Sequence, residues 1–133
     1  MAWVLDMIKE VFEKPMRDAG FCIEHSIRTW HSEGERYSRG NLGVEIILTA
    51  ESSFRVEVWL RKLGEKKFAD EYTWSREDID LGAFCSRQGL ALPAESPSLV
   101  DEPDYGESWR QFFQSNLEVL MRVVNMLPLD ELN

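Results

Sequence analysis

Basic residues are scarce in this chain. Of its 133 residues, 15 are Lys or Arg against 24 Asp or Glu, which leaves a net charge of −9. A phosphate backbone is held by a basic surface, so the balance argues against nucleic acid as a direct ligand. No apolar run approaches the ~20 residues needed to span a bilayer, and no membrane partner is expected. The opening Met1-Ala2-Trp3-Val4-Leu5-Asp6 has no basic stretch, and Asp6 interrupts its apolar residues. That is unlike a secretory signal, so a cytoplasmic location is the expectation. Two cysteines are too few for a disulfide framework. Neither Gly40 with Gly43 nor Gly82 with Gly89 has the spacing of a phosphate or dinucleotide loop, and no nucleophile elbow is present. What remains is ordinary for a folded protein, with 44% hydrophobic and 29% charged residues. The length suits one core and not two, so 1–133 reads as a single domain.

The acidic excess is not spread evenly. Residues 1–40 and 41–69 are each within one charge of neutral, whereas 70–133 hold thirteen acids and four bases. The excess is densest in Asp70-Glu71 with Glu77, Asp78 and Asp80, and again at Glu95, Asp101, Glu102, Asp104 and Glu107. Charge of one sign keeps a domain soluble. Concentrated in one region, it also speeds association with an oppositely charged partner.

Hydrophobic spacing gives the elements. Trp3, Met7 and Val11 with Val4, Ile8 and Phe12 form one helical face over 3–14, which Pro15 disturbs and Gly20 closes. Period two follows in 21–30, where Phe21, Ile23, His25 and Ile27 alternate with polar residues. The polar stretch His31 to Asn41 reads as a loop. Strands are predicted over 43–50, 54–62 and 67–74, with Gly64-Glu65-Lys66 as the last turn, and short connections make them an antiparallel meander. Ser75-Arg76-Glu77-Asp78 has helix-cap spacing, so a short helix is expected from about Glu77 to Gln88, ending at Gly89. Residues 90–106, with Pro93, Pro97 and Pro103, read as a long irregular loop. Ser108 and Gln111 suit the start of a final helix that runs to Pro128 and packs on the sheet. The class is therefore α+β: an N-terminal helix, a four-stranded antiparallel meander, a short helix and a long C-terminal helix.

Candidate chemistry is thin. Cys22, His25, His31 and Cys85 could in number bind one zinc. Three apart in a strand, however, Cys22 and His25 point to opposite faces. Cys85 with a histidine is the best nucleophilic pair, but its neighbourhood is acidic and opposes thiolate formation. No metal, cofactor or catalytic residue is expected. Aromatics say more. By alternation Trp30 and Trp59 share the strand face that carries charged residues. They are binding anchors if that face meets solvent, and core if a helix or the 90–106 loop covers it. Tyr105, among acids, is a candidate of the same kind.

In size, in its acidic second half with Asp70-Glu71, Glu77-Asp78 and Asp101-Glu102-x-Asp104, and in its meander, the chain resembles the immunity proteins of bacterial contact-dependent inhibition and related polymorphic-toxin systems. The resemblance implies a non-catalytic cytosolic domain that neutralises a basic toxin, often a nuclease, through acidic residues at the toxin's active site. Partner contacts would then fall among Trp30, Trp59, Asp70, Glu71, Glu77, Asp78, Asp80, Asp101, Glu102, Asp104 and Tyr105. The chain also resembles small acidic type III effector chaperones, in length and in terminal helices around a sheet, although those place a helix after the third strand. A small enzyme or ligand-binding domain, with a pocket between sheet and C-terminal helix, is a third possibility.

Overall fold

The fold is that of a computed structural model, which describes residues 2–29, 32–50, 54–68, 71–94 and 105–126. Its order is α1 (Ala2–Asp18), β1 (Cys22–Arg28), β2 (Ser32–Arg39), β3 (Leu42–Ala50), β4 (Phe54–Phe68), β5 (Glu71–Asp80), α2 (Leu81–Gln88) and α3 (Tyr105–Met126). The class is α+β as the sequence predicts. The five strands form one antiparallel meander in the order β1-β2-β3-β4-β5, curled as a half-barrel.

One strand more than expected comes from the stretch read as a loop. Ser-Glu-Gly-Glu-Arg-Tyr-Ser-Arg has a single apolar residue, so no hydrophobic alternation announces β2. Its polar side chains are satisfied by partners instead. Glu35 and Tyr37 bond each other on one face, and Arg36 pairs with Glu45 of β3 on the other. Gly34 fits where no larger residue could, since a Cβ there would lie 2.1 Å from the Ile46 carbonyl oxygen.

The inner face of the sheet, which the helices cover, holds Tyr37, Val44, Ile46, Leu48, Val56, Val58 and Leu60, all buried. Val44, Ile46 and Leu48 stand opposite Leu60, Val58 and Val56, so the even-numbered rows of β3 and β4 coincide. Ile8, Phe12 and Met16 of α1, Phe84 and Cys85 of α2, and Trp109, Phe113, Leu120 and Val123 of α3 join the same core. Phe12 and Phe113 meet edge-to-face with centroids 6.0 Å apart, tying α1 to α3. Each large apolar side chain so buried contributes about 1.5–3 kcal/mol.

Several boundaries move from their expected places. Pro15 lacks the N–H that would bond Val11, yet α1 continues to Asp18. It ends where Gly20 takes φ +91° and the Phe21 N–H donates to the Met16 carbonyl at 2.9 Å. A bulge at Glu24 shifts the register between Ile23 and His25. Ile23 and Ile27 therefore fall on opposite faces, and the expected uniform alternation of β1 does not hold. β4 runs through Gly64, Glu65 and Lys66, which are strand and not turn. Ser75 to Asp80 belongs to β5, and α2 starts at Leu81. Its cap is Asp80, whose Oδ2 accepts from the Ala83 N–H at 3.1 Å. Gly89 ends it as expected, with φ +69°. α3 begins at Tyr105, so Ser108 lies inside the helix and the irregular stretch stops short of 105.

Candidate functional site

The outer face of the sheet is built from the odd-numbered residues of β3 and β4 and is polar. Register lays it out in rows. One crosses His25, Arg36, Glu45, Trp59 and Asp80 on five successive strands, and the next crosses Cys22, Ser38, Gly43 and Arg61. Glu45 is buried, and both its oxygens are used. Oε2 accepts from Arg36 Nε at 2.5 Å, and Oε1 accepts from Arg61 Nη2 at 3.1 Å. A carboxylate removed from water is tolerated in this way because charged donors replace its hydration.

Trp74 of β5 reaches this cluster because β4 and β5 shift register between Arg61 and Leu63. Its ring carries two guanidiniums, that of Arg36 at 5.1 Å and that of Arg61 at 5.7 Å from the centroid. Gly43 is the floor beneath it. A Cβ at Gly43 would lie 2.6 Å from Trp74 Cζ3 and 2.7 Å from Leu63 Cδ2. Beyond this lies Trp59, half-buried, whose indole N–H donates to Glu57 Oε2 at 3.1 Å. Farther along, Ser38 donates to the bulge residue Glu24. The face thus alternates acid, base and aromatic, and the helix residues buried in the described core pack with the opposite, inner face.

Of the residues singled out from sequence, Trp59 lies on this charged face as alternation requires. Asp80 is its neighbour on β5 and caps α2 through one oxygen. Glu71, Glu77 and Asp78 are on β5, with Asp78 opposite Arg61. Tyr105 is the first residue of α3 and not part of an irregular loop. Trp30, Asp70, Asp101, Glu102 and Asp104 lie outside the described residues. Arg36, Glu45, Arg61 and Trp74 carry no signal in the sequence as a unit, because only cross-strand register joins them.

The bulge also overturns the expectation that Cys22 and His25 face apart. Both pair with outer-face residues of β2, Ser38 and Arg36, and both are exposed. Among the described residues no three His, Cys, Asp or Glu are arranged to hold a metal ion. Cys85 is buried on the opposite side of the sheet from His25. Burial first, and then the nearby Asp80 carboxylate, push its thiol pKa up, the reverse of what activates a nucleophile.

A second polar cluster sits on the inner face. Glu35 is wholly buried, accepts from the Tyr37 hydroxyl at 2.5 Å and pairs with Lys9 of α1 at 2.9 Å. Burial raises the Glu35 pKa, opposed by the Tyr37 and Lys9 hydrogen bonds and reinforced by Glu13. Burial and the Glu35 carboxylate push the Tyr37 phenol far above its ordinary range.

No helix among the described residues is long and apolar enough to cross a membrane. No family model, curated protein or solved structure matches this chain.

Proposed function

We propose that this protein is a non-catalytic binding protein that neutralises a basic protein partner, as an immunity protein blocks its toxin. The observation that carries the reading is the placement of charge. The edge strand β5 holds four acids and one base in ten residues, and it ends beside half-buried Trp59 on the polar outer face of the sheet. An acidic rim next to an aromatic anchor is the arrangement that steers and then fixes a basic partner. In the cell the acids would repel nucleic acid from, or stand in for it at, the site of a bacterial toxin.

The chaperone reading ranks behind this one. Five strands follow one another without the helix that such chaperones insert after the third. A small-ligand or enzymatic domain is favoured by one group, Glu35, a buried carboxylate of raised pKa. Its oxygens are committed to Tyr37 and Lys9, which fits a structural tie better than a reactive group.

Affinity capture of the tagged protein from its native cells, at low and high salt, tests the proposal. A single basic protein held in a salt-sensitive complex, lethal when expressed alone and harmless with this chain, is the expected result. Capture of secreted effectors by their N-terminal segments, or of no partner at either salt, overturns it.

A further inference from the structure

The outer face shows how this sheet binds a guanidinium. Arg36 and Arg61 each lie over Trp74 while donating to the Glu45 carboxylate beside it, so each cation meets a ring and an anion together. That combination suits arginine, whose flat cation stacks and donates in its own plane at once.

Trp59 repeats the ring and the anion without the cation. It stands on the same face, one register row from Arg61, and opposite Asp80. Among the described side chains no Lys or Arg lies over its ring, although Trp74 carries two. Asp80 uses Oδ2 to cap α2, and its Oδ1 accepts no hydrogen bond from the described residues. The Trp59 indole N–H is held by Glu57, which fixes the plane of the ring. Glu45, across the strand, is neutralised by its own two arginines and does not compete for another.

We propose that Trp59 and Asp80 form a subsite for an arginine side chain of the basic partner, the guanidinium stacking on the indole and donating to Asp80 Oδ1. The subsite rests on the reading that the partner is basic, and it states how that partner is gripped. Arginine is preferred over lysine, because a compact ammonium donates to a carboxylate without matching the ring plane.

The test uses the full ¹⁵N-labelled chain and the indole N–H signal of Trp59, assigned through Trp59→Leu. Tetra-arginine amide is titrated in, with tetra-lysine amide and tetra-glutamate as controls. The expected result is a saturating shift of the Trp59 signal with tetra-arginine, several-fold weaker with tetra-lysine and absent with tetra-glutamate. Asp80→Asn keeps an oxygen to cap Ala83 while removing the charge, and it should weaken the tetra-arginine response roughly three- to tenfold. No shift at Trp59, equal response to both cationic peptides, or an unaffected Asp80→Asn variant overturns the subsite. With a captured basic partner, unchanged affinity in both variants overturns the subsite and leaves neutralisation standing. An arginine response at Trp59 with no basic partner in cells supports the subsite and removes neutralisation.

Discussion

Lys9 reaches from α1 to β2 with its Nζ 2.9 Å from Oε1 of Glu35, pinning a cation over a carboxylate that has no exposed surface. Burial holds the Glu35 pKa above its ordinary 4.5. The folded state therefore keeps its proton more tightly than the unfolded chain does. As pH rises from near 4.5 through the raised value, folding must carry the ionised buried group, and stability falls relative to a chain without it. Glu35→Gln should flatten this slope, so that its melting temperature gains on the wild type across that window. Lys9→Met should steepen it. A difference between wild type and Glu35→Gln that does not vary with pH would show that Glu35 titrates alike in both states.

Gly43 lies under the Trp74 ring with no room for a methyl group. Gly43→Ala should cost about 1–3 kcal/mol in denaturant unfolding, the usual range for overpacking a fitted site. It should also lift Trp74 away from Arg36 and Arg61, changing the near-ultraviolet dichroism. An unchanged spectrum at wild-type stability would mean that the ring is not seated on Gly43.

Glu45 accepts from two arginines within the sheet. Glu45→Gln keeps the shape but removes the anion that both guanidiniums share, and should destabilise by about 2–4 kcal/mol. The value lies below that of a wholly buried pair because the Arg36 side chain is 32% exposed. The double variant with Arg36→Met should recover part of the loss. Strict additivity in that cycle would deny the coupling.

Reversing charge at Asp101, Glu102 and Asp104 together should weaken the complex with the basic partner, mainly through a slower association rate and a shallower salt dependence. The melting temperature should stay near that of the wild type. Binding that is unchanged at low salt would remove these three residues from the interface.

Trp59→Ala separates anchor from core. Trp59 is half-buried, so truncation should lower stability only moderately while the loss in partner binding is larger. A collapse of the fold would make the ring chiefly a packing element.

Periodicity revealed those parts of the fold whose faces differ in polarity. α1, β3, the first half of β4 and α3 each set an apolar row against a polar one, and each lies where spacing predicts. β2 escaped because its inward residues include Glu35, whose burial is made possible by Tyr37 and Lys9 from outside the local sequence. The Glu24 bulge and the offset between β4 and β5 escaped for a related reason. Inserting a residue into a ladder leaves composition unchanged while it re-aims every side chain beyond. Trp59 was legible as part of the charged face because β4 is regular through that point. The union of Trp74 with Arg36, Arg61 and Glu45 was not, since it is made by register across four strands. Ser75 to Asp78 matched a helix cap, but Asp80, at the true strand end, is the residue that accepts from the helix backbone.

The strictly sequential strand order bears on how the chain folds as it is made. Every strand pairs with its immediate neighbour in sequence, so each hairpin can close over a short span as soon as its second strand emerges. α3 comes last, yet it supplies Trp109, Phe113, Leu120 and Val123 to a core shared with α1 and the sheet. A nascent chain halted before Tyr105 would present Val44, Ile46, Val58 and Leu60 without that cover, an adhesive surface of the kind chaperones bind during synthesis. Arrival of α3 is then the step that covers the apolar face of the sheet, and shortening α3 should be felt first as poor yield and aggregation.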